Sequence, residues 1–172
     1  MTTITAPAGQ TRQDEDAVLA VILHFFEGLR QSSAEMMLSN VLPTGHATLI
    51  RPSQDGQGGS KVIQFTLPEL IERVTKIGKE SPEPMSENIA LATWQEGDDG
   101  DKYEGRRTEI RIDYDLAMAW TPYEVRRGDV VSHVGTNIFQ FFKVADGEKK
   151  GTWMISGVAD TTRQPGKGGS KA

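Results

Sequence analysis

The segment DLAMAWTPYEVRRGDVVSHVGTNIFQFFKV, Asp115 to Val144, decides the fold. It reads as two strands, Leu116 to Arg126 and Val130 to Val144, rich in β-branched and aromatic residues. Arg127-Gly128-Asp129 supplies the reversal between them. Side chains alternate across a strand, so Val131, His133, Gly135, Asn137 and Phe139 fall on one face. A histidine and an asparagine thereby share a surface with an aromatic floor. If the reversal is a three-residue loop, Arg126 pairs with Val130 and Tyr123 stands directly opposite His133; a two-residue turn breaks that pairing.

Outward from this hairpin the second half of the chain keeps the same character. Asn88 to Gln95, Arg106 to Asp113 and Thr152 to Ala159 read as further strands, with reversals at Asp113-Tyr114-Asp115 and Asp146-Gly147-Glu148. The first half reads as helices with two short strands near Ala47 to Ile50 and Lys61 to Phe65. Val18, Ile22, Phe25 and Leu29 recur at helical spacing after the acidic run Asp14-Glu15-Asp16. Ser32 with Glu35, and Thr66 with Glu69, each match a capping box, the second with Pro68 in its first turn. The second of these helices carries Leu67, Leu70, Ile71, Val74 and Ile77 along one stripe and ends near Gly78. The order ααββα followed by a meander predicts an α+β domain with an antiparallel sheet of about five or six strands.

Composition narrows the functional classes. The 172 residues carry 19 Lys+Arg and 24 Asp+Glu, so the formal charge is 19 − 24 = −5. With pI about 5.2, long-range electrostatics disfavour a nucleic-acid partner. The chain has no cysteine, which excludes disulfide frameworks, thiolate metal sites and thiol nucleophiles. No apolar run reaches the roughly 18 residues that span a bilayer, and Met1 to Asp16 has no apolar core like that of a signal peptide. A cytoplasmic protein without a membrane partner is the expectation. Residues 1–13 and 164–172 read as flexible tails around a single domain, 14–163. Mean hydropathy of −0.44 fits such a domain.

From Asp115 to Arg163 the chain resembles the nuclear-transport-factor-two-like superfamily, and within it the SnoaL-like branch of polyketide cyclases, ketosteroid isomerases and scytalone dehydratases. The resemblance rests on Asp115-Leu116-Ala117 with Ala119-Trp120 and Tyr123, on Ser132-His133 with Gly135 and Phe139, on Trp153 with Ile155, and on Asp160-Thr161 with Arg163. It extends over roughly residues 14 to 163. The superfamily implies a cone: a strongly curved antiparallel sheet wrapped around three helices from the N-terminal half, with an apolar pocket open at one end. It includes both enzymes and non-catalytic binding proteins, and fold alone does not choose between them.

Residues of the pocket must make that choice. His133 matches the branch histidine and titrates near neutrality, which suits a proton carrier. Tyr123 and Asn137 are expected to hydrogen-bond an enolate-like oxygen. Trp120 and Tyr123 lie three apart, so only one faces the pocket unless Pro122 or a bulge resets the alternation. Trp94, Phe139 and Met154 are read as apolar wall and His46 as a residue of the pocket mouth, whereas His24 falls off its helix's apolar stripe. Histidines at 24, 46 and 133 lack the close spacing of a helical zinc motif, so no metal is expected. Asp160 reads as a strand-end cap or a partner for Arg163, and the acidic run Glu96 to Glu104 as a solvated loop. Together these readings suggest a cofactor-independent isomerase, dehydratase or cyclase acting on an apolar carbonyl compound of the polyketide or terpenoid kind. A non-catalytic binding or dimerisation module is the alternative. A homodimer through the outer sheet face is expected from the superfamily.

Overall fold

The computed structural model describes residues 8–53, 59–89 and 108–163. The helices are α1 (Ala8–Arg30), α2 (Ala34–Leu38) and α3 (Leu67–Glu80). The strands are β1 (Val41–Pro52), β2 (Ser60–Thr66), β3 (Met85–Ile89), β4 (Glu109–Asp113), β5 (Leu116–Arg127), β6 (Val130–Lys143) and β7 (Trp153–Arg163). They form one sheet in the order β2-β1-β7-β6-β5-β3, with β4 also paired to β5 beyond the end of β3. This is the expected α+β class, with two differences in the sheet. The described residues form seven strands rather than five or six, and β1 runs parallel to β7, so the sheet is mixed. A parallel pair needs a long crossover, and everything between β2 and β6 provides it.

Local signals account for the starts of two of the three helices. The Thr66 capping box forms in full, with Thr66 Oγ1 accepting from the Glu69 amide and the Glu69 carboxylate accepting from the Thr66 amide. At α2 the cap moves by one residue: Ser33, not Ser32, accepts from the Met36 amide, because Ser32 takes a left-handed φ of 51° in the turn. Helix α1 begins at Ala8, inside the stretch read as a tail and six residues before Asp14. The acidic run therefore does not sit at its positive end.

Asp14 has a different task. Its carboxylate accepts from Lys143 Nζ at 2.7 Å and from the Trp153 indole N–H at 3.3 Å, tying α1 to β6 and β7. Next to this clamp, Val18, Ile22, Phe25, Phe26 and Leu29 pack on Ala117, Ala119, Phe139, Phe141 and Ile155 of the sheet. Helix α3 splits its apolar residues between two surfaces. Leu67 and Ile71 enter this core, while Leu70, Val74 and Ile77 line a cavity. Asp14→Ala is expected to lower unfolding stability by about 1–3 kcal/mol, because it leaves a half-buried ammonium and an indole N–H unpartnered. Urea denaturation would show this as a lower midpoint; an unchanged midpoint contradicts the clamp.

Candidate functional site

The cavity lies between the sheet's inner face, α1 and α3, and has a volume of about 940 Å³. Phe25, Phe26 and Leu29 of α1 wall one side and Leu70, Val74 and Ile77 of α3 another. Phe139 lies at the junction with the core, meeting Phe25 and Phe26 edge-on at 6.2 and 5.7 Å between ring centres. Into this apolar space five strands each place polar groups: Arg51 from β1, Glu87 from β3, Tyr123 from β5, His133 and Asn137 from β6, and Asp160 from β7.

The β5–β6 turn is the two-residue type, with Arg127 paired to Val130 and Gly128 at φ 55°. A register shift at Val125/Arg126 leaves Ser132 as an extra residue on β6. Tyr123 consequently stands opposite Gly135, and Val125 stands opposite His133, which corrects the direct Tyr123–His133 pairing. The two rings still meet on the diagonal, at right angles with centroids 6.0 Å apart. Gly135 makes this possible: a Cβ there would collide with the Thr161 carbonyl oxygen and sit 2.6 Å from the Tyr123 hydroxyl. That hydroxyl donates to the Thr161 carbonyl at 2.9 Å, with Thr162 Oγ1 at 3.2 Å and Asp160 Oδ2 at 3.4 Å. It has one proton to give and gives it to the protein.

Tyr123 and Trp120 do face opposite ways. Trp120 is 42 % exposed on the outer face beside Ile50 and Ile138, so it does not line the cavity. His46 is exposed on β1, and Met154 is buried opposite Phe142; neither lines the cavity. Trp94 and the acidic run Glu96 to Glu104 lie outside the described residues. His24 is exposed and within 3.2 Å of Ser39 Oγ.

Two cavity groups, Glu87 and Arg51, carry no signal among the sequence readings above, and a third, Asp160, takes a different partner. Glu87 follows Met85 and precedes Ile89 at strand spacing, so a carboxylate sits on a face whose neighbours are apolar. Arg51 continues the Ala47, Leu49 face of β1 in the same way. Asp160 pairs with this arginine rather than with Arg163: Arg51 Nη1 and Nη2 donate to its two oxygens at 2.6 and 2.9 Å. Asn137 Nδ2 donates to Glu87 Oε1 at 2.6 Å.

Burial then sets the protonation states. Loss of water pushes the Glu87 carboxyl up to about 8, with the Asp160 charge adding to the rise and the Asn137 bond and Arg51 opposing it. Burial moves His133 the other way, below its usual 6.5, with Arg51 adding to the drop and Asp160 opposing it. Tyr123 is raised, first by burial and then by the carboxylates of Glu87 and Asp160. Near pH 7 the cavity therefore holds a protonated acid and a neutral imidazole. Among the described residues no three of His, Asp and Glu converge as metal ligands, and no helix is long and apolar enough to cross a membrane.

No family model and no curated protein sequence matches the chain. Similar solved structures share its fold at low identity. An NTF2-like protein of unknown function from Shewanella baltica is 17% identical, with TM-score 0.56 over 88% of this chain and 94% of its own. A candidate dehydratase of the NTF2-like family from Streptomyces avermitilis is 13% identical, with TM-score 0.57 over 89% and 98%. A candidate ketosteroid isomerase from Shewanella frigidimarina is 14% identical, with TM-score 0.53 over 84% and 94%.

Glu87 also predicts a pH dependence of stability. Between its unfolded value of 4.5 and its folded value of about 8, the folded chain binds a proton that the unfolded chain releases. Stability therefore falls as pH rises through this window, by about 1.4 kcal/mol per unit. The lowered His133 gives the opposite slope, but only below 6.5, so pH 7 to 8 isolates Glu87. Urea unfolding between pH 7 and 8 should show the decline in the wild type and lose it in Glu87→Gln. Equal slopes in both proteins would remove Glu87 as its source.

Proposed function

We propose that this chain, which has the nuclear-transport-factor-two-like fold, moves a proton within a neutral, largely apolar carbonyl compound of the polyketide or terpenoid kind. One observation carries the reading: an acid held protonated and a base held neutral face the same apolar cavity. The neutral His133 imidazole accepts a proton from the carbon next to the substrate carbonyl. The electron pair of that C–H bond forms the enolate C=C bond, and the carbonyl π pair moves onto the oxygen. Glu87, whose Oε1 is engaged by Asn137, uses its carboxyl proton to hydrogen-bond or protonate this oxygen. Return of the His133 proton at another carbon gives isomerisation; its delivery to a β-hydroxyl, which leaves as water, gives dehydration; and attack of the enolate carbon on a second carbonyl, whose oxygen then takes that proton, gives cyclisation. No cofactor takes part in these steps. In this reading Tyr123 is a positioning residue, because its hydroxyl serves the protein and its ring edge fixes His133. Asn137 is likewise a holder of Glu87 rather than a direct ligand of the oxygen.

A binding module without chemistry is the second reading, favoured by the way Tyr123 and Asn137 are satisfied internally. Solvent exchange separates the two. Polycyclic phenols and ketones are screened by thermal shift, and the best-bound ketone is followed by NMR in deuterated water. The first reading expects deuterium at the carbon next to the carbonyl, lowered roughly 10²–10⁴-fold in His133→Ala and in Glu87→Gln with binding retained. The rate should rise through the His133 midpoint and fall above pH of about 8. Binding with no exchange above solvent background selects the second reading.

We also propose that the outer sheet face pairs with a second copy of the chain. Leu116, Met118 and Trp120 project from β5 on this face with 61, 37 and 42 % exposure, an apolar row that water does not favour. Light scattering at micromolar protein should give twice the chain mass, reverting to the monomer in Trp120→Glu. A wild-type monomer contradicts the pairing.

A further inference from the structure

The Arg51–Asp160 pair has no part in the steps above, yet it stands beside both proton carriers. Asp160 lies on β7 with Leu49 of β1 as its neighbour on one side and Asn137 of β6 on the other. Arg51 reaches it diagonally and takes both oxygens. Asn137, directly across the strand from this carboxylate, sends its amide instead to Glu87. The Asn137 amide thus has two acids within its neighbourhood and is bound to one of them. The two-pronged contact engages both Asp160 oxygens, and the Asn137 amide bonds to Glu87 and not to Asp160. Its side chains are 30 and 14 % exposed, so water contributes little screening.

We propose that Arg51 is a positioning residue for the acid–base pair: by clamping Asp160 it cancels that carboxylate's charge and reserves the Asn137 amide for Glu87. The proposal rests on the proton-transfer reading of the same cavity. Other charged groups also face it: Arg127 on β5, and Glu69, Glu72, Arg73, Lys76 and Glu80 on α3. Glu69 is held by its cap at Thr66 and Lys76 by Glu80 at 4.0 Å. Arg127 acts on His133 in the same sense as Arg51, and more weakly. Among its described side chains, helix α1 brings only Phe25, Phe26 and Leu29 to the cavity.

The test is NMR titration of the His133 imidazole, its signal assigned by loss in His133→Gln. Removing the cation in Arg51→Met exposes His133 to an uncompensated carboxylate, so its midpoint should rise by about one unit. Asp160→Asn removes the carboxylate and should lower the midpoint. The double variant should return it to within a few tenths of a unit of the wild type. Should Arg51→Met not fold, Asp160→Asn and the double variant make the same comparison. A purely structural role for Arg51 lowers the melting temperature and leaves the midpoint where it was, which overturns the proposal. So does a shift in the same direction from both single variants. Failure of the proton-transfer reading shows elsewhere, as absence of deuterium exchange in the wild type while the His133 midpoints of the variants still move as described.

Discussion

A hairpin longer than its cover organises this molecule. Strand β5 has twelve residues and β6 fourteen, so the ladder runs roughly 40 Å at about 3.3 Å per residue. Helix α1 seals one end with Phe25 and Phe26 against Ala117, Ala119, Phe139 and Phe141. Past Phe139 no helix among the described residues is seated on the same inner face, and there the apolar pattern gives way to Asn137, Gly135, His133 and Tyr123. The register shift at Ser132 and a second one at Gln140/Phe141 break the flat ladder, so the strands bend around α1 and hold the uncovered end under α3. The cavity is the space that packing leaves.

Polar groups in such a space must satisfy one another or change charge. Both solutions are present. Arg51 and Asp160 form a charge-assisted, two-pronged pair that keeps its ions. Among the described residues Glu87 has no cation bonded to it, only the Asn137 amide, and it retains its proton well above the usual carboxylate range. Among the described residues His133 has only Ser132 Oγ as a hydrogen-bond partner, at 3.2 Å, and burial disfavours its charged form. Arg51, Asp160, Glu87 and His133 thereby carry no net charge between them, which suits an uncharged substrate, while still supplying one acid and one base.

The same crowding explains what Tyr123 does. Its ring fills the space over Gly135, where any side chain would strike the Thr161 carbonyl, and its hydroxyl binds that carbonyl. A tyrosine at the end of an apolar cavity invites assignment as a proton donor. Here the hydrogen-bond count argues for an anchor that joins β5 to β7 across β6.

Local patterns were enough for the element order, because hairpin turns, the Thr66 capping box and the alternation of β5 and β6 act between residues close in sequence. They placed His133, Asn137 and Phe139 on one face and Trp120 and Tyr123 on opposite faces. They did not place Asp14, whose partners are 129 and 139 residues away, nor the β1–β7 parallel pair. The site divides along the same line. Glu87 and Arg51 left a trace, each a charge on an otherwise apolar strand face, but their meaning depended on what stands across the cavity. Partners 50 residues apart, such as Asn137 and Glu87, and 109 apart, such as Arg51 and Asp160, are joined by strand order alone. Which carboxyl keeps its proton follows from those partners and from the water the folded chain excludes, and neither quantity exists until the sheet has closed.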